Sequence, residues 1–249
     1  MGAKMRNGYV TRFNMRQRVE HIALIVIFTT LALTGLLQRF YTGWFAEWAI
    51  MGIGGVETVR VIHRVFGGVF TLALVYHLIV LTYGLMVKHS RQSMLLTRKD
   101  FTDVVDSLRL ALGFKSAPPQ YGRFNYRQKF EYWGLMFGSV IITATGVVLL
   151  FPAAVTSILP GQVVAASVVM HGWEATLAVL TIIVWHFYEV LFRPGVFPAD
   201  TSIFTGKISR QRMAEEHALE YAELTLSGEG AVEAGTVYPG QTEPTTEPG

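Results

Sequence analysis

Seven histidines stand in a chain of 249 residues that contains no cysteine, and five of them fall within or at the edge of long apolar stretches. Ionisable side chains are expensive at membrane depth, so each is a functional hypothesis by default. His63 and His77 lie fourteen residues apart. At about 100° per residue that is three turns and about 320°, which puts both on one face of a helix. His171 and His186 lie fifteen apart, about 60° out of alignment and still on one side. Each pair spans about 21 to 22 Å along its axis, which defines two levels. His63 and His171 fall at one level, and His77 and His186 at the other, where His21 also falls. Imidazoles offered from facing helices at a common depth are what six-coordinate haem iron requires. Zinc or copper would need three or four ligands at one level, and the first level has two. The pattern therefore points to two b-type haems, with a third if His77 also binds iron. Gly67 and Gly68 after His63, and Ala175 after His171, leave room for a flat macrocycle, although helix packing is an equal use for them. His89 and His217 lie in polar segments and are read as solvated surface residues.

The elements that must position these rings are four apolar stretches near 17 to 38, 61 to 87, 130 to 152 and 163 to 192. Each is long enough to cross roughly 30 Å of hydrocarbon as a helix. About half of the residues are apolar and 16% are charged, which excludes an ordinary soluble domain. Lys and Arg number five from Lys4 to Arg18, two in the first turn (Arg39, Arg60), nine from Lys88 to Lys129, none from 153 to 162 and four after Phe192. The positive-inside rule then places both termini and the long central loop in the cytoplasm. His63 and His171 become the outer level, and His21, His77 and His186 the inner. The first span carries no small-residue cleavage site and reads as an uncleaved helix. Phe40, Tyr41, Trp44, Phe45 and Trp48 suit an aromatic belt in the outer turn. Residues 103 to 114 have helical apolar spacing, expected as a short helix on the cytoplasmic surface. After about 227 the chain is rich in Gly, Glu, Thr and Pro, which predicts a disordered tail following a membrane domain of residues 1 to 226. Without cysteine the chain can hold no disulfide, iron-sulfur cluster or thioether-linked haem, and no nucleic-acid motif is present.

Residues 12–35 and 123–146 match identically at nine of twenty-four positions at a fixed offset of 111. Basic and aromatic residues at the start of any span entering from the cytoplasm would explain part of this. They do not explain why Thr34-Gly35 and Thr145-Gly146 also match. The fold class expected is an all-α integral membrane protein: a four-helix bundle built from a duplicated hairpin, multi-pass in a bacterial or archaeal inner membrane.

The stretches RFNMRQRVEH with LTG, VRVIHRVFGGVF, RFNYRQKFEYW, HGWEATLAVLTIIVWHFY and FTGKISRQRMAEEH resemble the gamma, cytochrome b subunit of membrane-bound formate dehydrogenases, a family similar also to the cytochrome b subunits of nickel-iron hydrogenases. The resemblance covers about residues 10 to 222 and implies two haems. Carried over, His63 and His171 bind the outer one, and His21 and His186 the inner. It also implies a quinone site, for menaquinone or ubiquinone, beside the inner haem at Asn125 and Gln128, whose competing reading is helix capping. Two features depart from that family. His77 is outside its pattern, and the interval from His171 to His186 is one residue longer. Both resemble instead the cytochrome b of bc-type quinol oxidoreductases, where two helices supply all four ligands.

The function expected is that of a di-haem electron-transfer subunit. It exchanges electrons between the quinone pool and an outer-face redox subunit of iron-sulfur, molybdenum or multihaem type, in a hetero-oligomeric complex surrounded by membrane lipid. It has no active site of its own apart from a quinone site. The rivals are a bc-type cytochrome with both haems between the second and fourth spans, a proton or ion transporter using the histidines with Glu174 and Glu189, and a plain membrane anchor.

Overall fold

A computed structural model describes residues 5–6, 8–87 and 93–226. His89 and the chain after 226 lie outside the described residues. From the N-terminus, strands β1 (Met5–Arg6) and β2 (Tyr9–Thr11) lead into α1 (Met15–Arg39), followed by α2 (Trp44–Ile53), α3 (Val56–Met86) and α4 (Arg98–Ala111). Then come α5 (Tyr126–Leu150), α6 (Pro152–Thr156) and α7 (Gln162–Phe192). The chain closes with α8 (Ser202–Thr205), β3 (Lys207–Ser209), α9 (Arg210–Glu216) and α10 (Ala218–Leu226). The helices α1, α3, α5 and α7 are long and apolar enough to cross a membrane. All four expected spans are present, with ends shifted by up to five residues.

Those shifts have local causes. The first turns of α1 and α5 are polar, so hydropathy misses them, but each is closed by a reciprocal cap. The Asn14 carboxamide oxygen accepts from Gln17 N–H at 2.9 Å while Gln17 returns the bond to Asn14 N–H at 3.1 Å. Asn125 and Gln128 repeat this at 2.9 and 3.1 Å, satisfying N–H groups that a helix start otherwise leaves unpaired. α3 begins early because Gly54 and Gly55, at φ +106° and +94°, turn the chain out of α2 at angles that side chains resist. α4 begins at Arg98 rather than 103, since Thr97 and Asp100 form a further capping box. α7 widens to i→i+5 hydrogen bonding over Thr181–His186 and Tyr188–Phe192. A π turn absorbs one extra residue without discarding the helix, and the first of these two stretches lies between His171 and His186, ending on His186 itself.

The spans pack in chain order around a ring: α1 on α3, α3 on α5, α5 on α7 and α7 back on α1. Large apolar side chains such as Leu72, Phe137 and Val184 face outward, as hydrocarbon allows. Buried positions within the spans are mostly small, including Thr34, Val59, Thr145 and Ser167. α2 and α6 lie at one end of the bundle, here the turn end.

The opposite, sheet end is a polar buttress. β1, β2 and β3 form an antiparallel sheet with Val10 opposite Ile208, and Val10, Ile208 and Met213 form a small core against Tyr221 and Leu224. Arg12 donates to the Arg123 carbonyl, and Arg123 donates to the Arg12 carbonyl at 2.6 Å. Glu220 accepts from both guanidinium groups at 2.8 Å. Burial lowers the Arg12 guanidinium to about 10 against the opposing pull of Glu220, so it stays charged at neutral pH. A second chain of ion pairs runs from Arg127 to Glu189 (3.1 Å), Arg193 (3.3 Å), Glu216 (2.8 Å), Arg212 (2.7 Å) and Asp200 (2.5 Å). His217 belongs to this buttress and is not a solvated residue: it is buried, and its Nδ1–H donates to the Gly122 carbonyl at 2.8 Å. α4 turns Phe101, Val104, Val105 and Leu108 outward, and Lys129 at 2.9 Å from Asp100 ties it to α5.

Candidate functional site

At the turn-end level α3 supplies His63 and α7 supplies His171, with ring centroids 6.3 Å apart and planes at 78°. His63 Nδ1–H donates to Thr34 Oγ1 at 2.9 Å, and that hydroxyl donates onward to the Thr30 carbonyl at 2.7 Å. His171 Nδ1–H donates to Thr145 Oγ1 and to the Ile142 carbonyl, both at 3.1 Å, and Thr145 donates to Ile141 at 2.8 Å. Because each threonine spends its proton on a helix carbonyl, its oxygen can only accept from the imidazole. The proton is thereby fixed on Nδ1 and the lone pair on Nε2, the atom a metal takes. The glycine after each threonine leaves room for the ring, which any side chain would crowd. A Cβ at Gly35 would lie 3.3 Å from His63 Cε1, and one at Gly146 would lie 3.3 Å from His171 Cε1. The repeated Thr-Gly pair thus positions both rings, a role for Thr34 and Thr145 that sequence reasoning missed although the repeat was its signal.

At the sheet-end level His21 of α1 and His186 of α7 have centroids 6.2 Å apart and planes at 34°. His186 Nδ1–H donates to Glu131 of α5 at 2.7 Å, again leaving Nε2 for another partner. The Nδ1 of His21 is buried without a hydrogen-bond partner among the described residues. His77 is not brought together with His186. Its Nε2 is bonded to the Tyr132 hydroxyl of α5 at 2.8 Å, with ring centroids at 6.0 Å. Glu131 and Tyr132 were not anticipated, yet Tyr132 sits 111 residues after His21, at its place in the repeat. Nearby, Tyr76 donates to Glu20 at 3.2 Å and Arg16 pairs with Glu20 at 3.3 Å.

Two observations test whether these residues suit haem iron. An imidazole–metal bond of about 2 Å, plus about 1 Å from nitrogen to ring centre, puts trans imidazole centroids about 6 Å apart. Both histidine pairs meet that separation. A Cβ at Gly67 or Gly68 would touch nothing within 4 Å, so the wall beside His63 is open. Among the described residues no three His, Asp or Glu side chains converge as a metal site, and the imidazoles that do meet come in twos. Asn125 is buried and Gln128 half-buried; both use their carbonyl oxygens in the cap of α5, and their amide N–H donors have no partner among the described residues.

Residues 12–201 match the family model described as prokaryotic cytochrome b561. The chain is 23% identical over 215 residues to the cytochrome b556(Fdn) subunit of the nitrate-inducible formate dehydrogenase of Escherichia coli K12, covering 86% of this chain and 91% of that protein. The proteins of that name from Escherichia coli O157:H7 and Shigella flexneri match to the same extent.

Proposed function

We propose that this chain, which belongs to the prokaryotic cytochrome b561 family, is the di-haem membrane subunit of a respiratory oxidoreductase complex that links a redox partner on one face to the quinone pool. That it is a prokaryotic membrane cytochrome b active in electron transfer follows from the family and its four apolar helices. The observation that carries the finer reading is the presence of two histidine pairs, at 6.3 and 6.2 Å, one at each level.

His63 and His171 hold the outer haem and His21 and His186 the inner. Haem b bound there supplies reversible one-electron chemistry at a potential tuned by its axial ligands and by what they are bonded to. Thr34 and Thr145 orient neutral donors at the outer level, and Glu131 places negative charge behind His186 at the inner level, raising the basicity of that ligand. The excess of Lys and Arg in the segments at the sheet end supports a cytoplasmic side there, in a bacterial or archaeal inner membrane. The quinone is protonated from that side, with the amide groups of Asn125 and Gln128 at the start of α5 as one contact. A duplicated hairpin is supported by the fixed offset, the two identical caps, the two Thr-Gly cradles and the reciprocal Arg12 and Arg123 bonds. The name of the E. coli relative supports a partner of formate dehydrogenase type in a hetero-oligomer.

The test is haem b per polypeptide, measured by pyridine haemochrome on the detergent-purified chain. Two per chain is expected; none would overturn the reading and favour a transporter or an anchor.

A further inference from the structure

We infer that Arg39 and Arg64 form the propionate clamp of the haem at the turn-end level, a role that rests on the di-haem reading above. Haem b carries two carboxylates, and anions drawn into a low-dielectric bundle need cations beside them. His63 and His171 provide for the iron but leave those charges unanswered. The basic residues of the turn end are Arg39, Arg60 and Arg64. Arg60 is spent on Glu57 at 2.5 Å, whereas among the described residues neither Arg39 nor Arg64 pairs with a carboxylate. Glu174, three residues after His171, rests instead against Gly138 of α5.

Both arginines stand beside the elements that hold the axial ligands. Arg39 lies one turn beyond Gly35, on the face of α1 that meets His63. Its guanidinium is carried across to α7, where it covers the Trp173 ring at 4.7 Å and lies so close to Gly172 that a Cβ there would collide with it. Gly172 is the residue after His171. Stacking on an indole occupies the face of the guanidinium and leaves its in-plane N–H fork for a carboxylate, the bidentate geometry that arginine favours. A cation in the last turn of a helix also complements its dipole, but that use needs no reach across to α7. Arg64 follows His63 directly and shares a face of α3 with Gly67 and Gly68, whose wall is open. The two cations also break the repeat. Leu150 holds the place of Arg39 on α5, and Gly172, the residue after the second turn-end histidine, holds the place of Arg64 on α7. Both charges therefore come from the first hairpin, and a level that is otherwise nearly symmetric has one charged side.

The test is optical redox titration of the purified haem-loaded chain, with haem content and the propionate bending band of resonance Raman spectra measured on the same samples. The turn-end component is the one missing in His63→Ala. Arg39→Gln and Arg64→Gln should each lower its midpoint potential, because a lost cation favours the ferric state, by about tenfold in the reduction equilibrium, or about 59 mV for one electron. Each should also move the bending band, while Arg39→Lys and Arg64→Lys should keep the parent potential and the sheet-end component should not move. Loss of the turn-end haem alone in a Gln variant, with the haem retained in the matching Lys variant, supports the clamp equally. Unchanged potential and band in both Gln variants, an equal shift of the sheet-end component, or haem loss that lysine does not prevent would overturn it; an effect in one variant alone would strike the other arginine from the clamp. With two haems in the parent chain these outcomes spare the cytochrome reading, whereas a parent chain without haem would sink both.

Discussion

At the turn-end level, the proposed outer one, both imidazoles are held from behind by threonine hydroxyls and helix carbonyls, all neutral groups. At the inner level one imidazole is held by a carboxylate and the other has no partner at Nδ1 among the described residues. The planes differ too, nearly perpendicular outside and 34° apart inside. Both levels offer a pair of imidazoles, so the groups behind the rings are one lever by which two haems held there would differ in potential. The turn-end level sits between diagonal helices of the ring, with a Thr-Gly pair behind each imidazole. The sheet-end level sits on the seams between neighbouring helices, with a histidine pair between α1 and α7 and a histidine–tyrosine pair between α3 and α5.

The strongest break of this comparison is loss of one level alone. His63→Ala or His171→Ala should each leave one haem per chain, and optical redox titration should show the surviving component unchanged. Loss of both haems would mean that the levels are not independent.

Next is acid sensitivity confined to the sheet end. Burial, with Arg12 nearby, lowers His217 from 6.5 to about 4. The unfolded chain then binds the proton that the folded chain refuses, so the contribution is present above about pH 6.5 and is lost as pH falls from there to about 4. Its size is of order 3 kcal/mol. Asp200 and Glu216 are pushed up by burial but held below the carboxylate range overall by Arg212, with Arg193 also on Glu216, and they lose stability in the same direction at lower pH. Limited proteolysis after Arg210 or Arg212 should accelerate over that interval, and His217→Gln, which keeps a donor to Gly122, should flatten the dependence.

A smaller effect separates the levels electrostatically. Glu131→Gln removes negative charge behind His186 and should raise the potential of the inner haem while leaving the outer one within error. Thr34→Val, which takes away a neutral acceptor, should cost about 1 to 3 kcal/mol of stability through the unpaired His63 N–H, with a smaller change in potential. Electron paramagnetic resonance of the oxidised protein sharpens the contrast in ring planes. Perpendicular axial planes bring two iron d orbitals close in energy, so the outer haem should give a highly anisotropic low-spin signal and the inner a rhombic one. Two identical rhombic signals would contradict the ring geometry.

Much of this was legible in the residues. Hydropathy located all four spans, and helical spacing sorted five histidines into two levels. Periodicity reports which face a residue occupies but not which neighbour lies across the bundle, and for that reason the Tyr132 partner of His77 and the Glu131 partner of His186 escaped notice. The fifteen-residue interval before His186 was visible, but the π widening of α7 within it depends on backbone hydrogen bonds that composition does not encode. The polar first turns of α1 and α5 were missed by hydropathy, although their Asn and Gln spacing had already spelled the caps. His217 lies in a charged segment and looked solvated; it is buried because Arg12, Arg123 and Glu220 draw the tail onto the bundle.

The central claim is that His21, and not His77, completes the inner pair with His186. Haem b per polypeptide in His21→Ala and His77→Ala, measured side by side with the parent, tests it most directly: one haem in the first and two in the second is the result this account predicts, and two in the first with one in the second would contradict it.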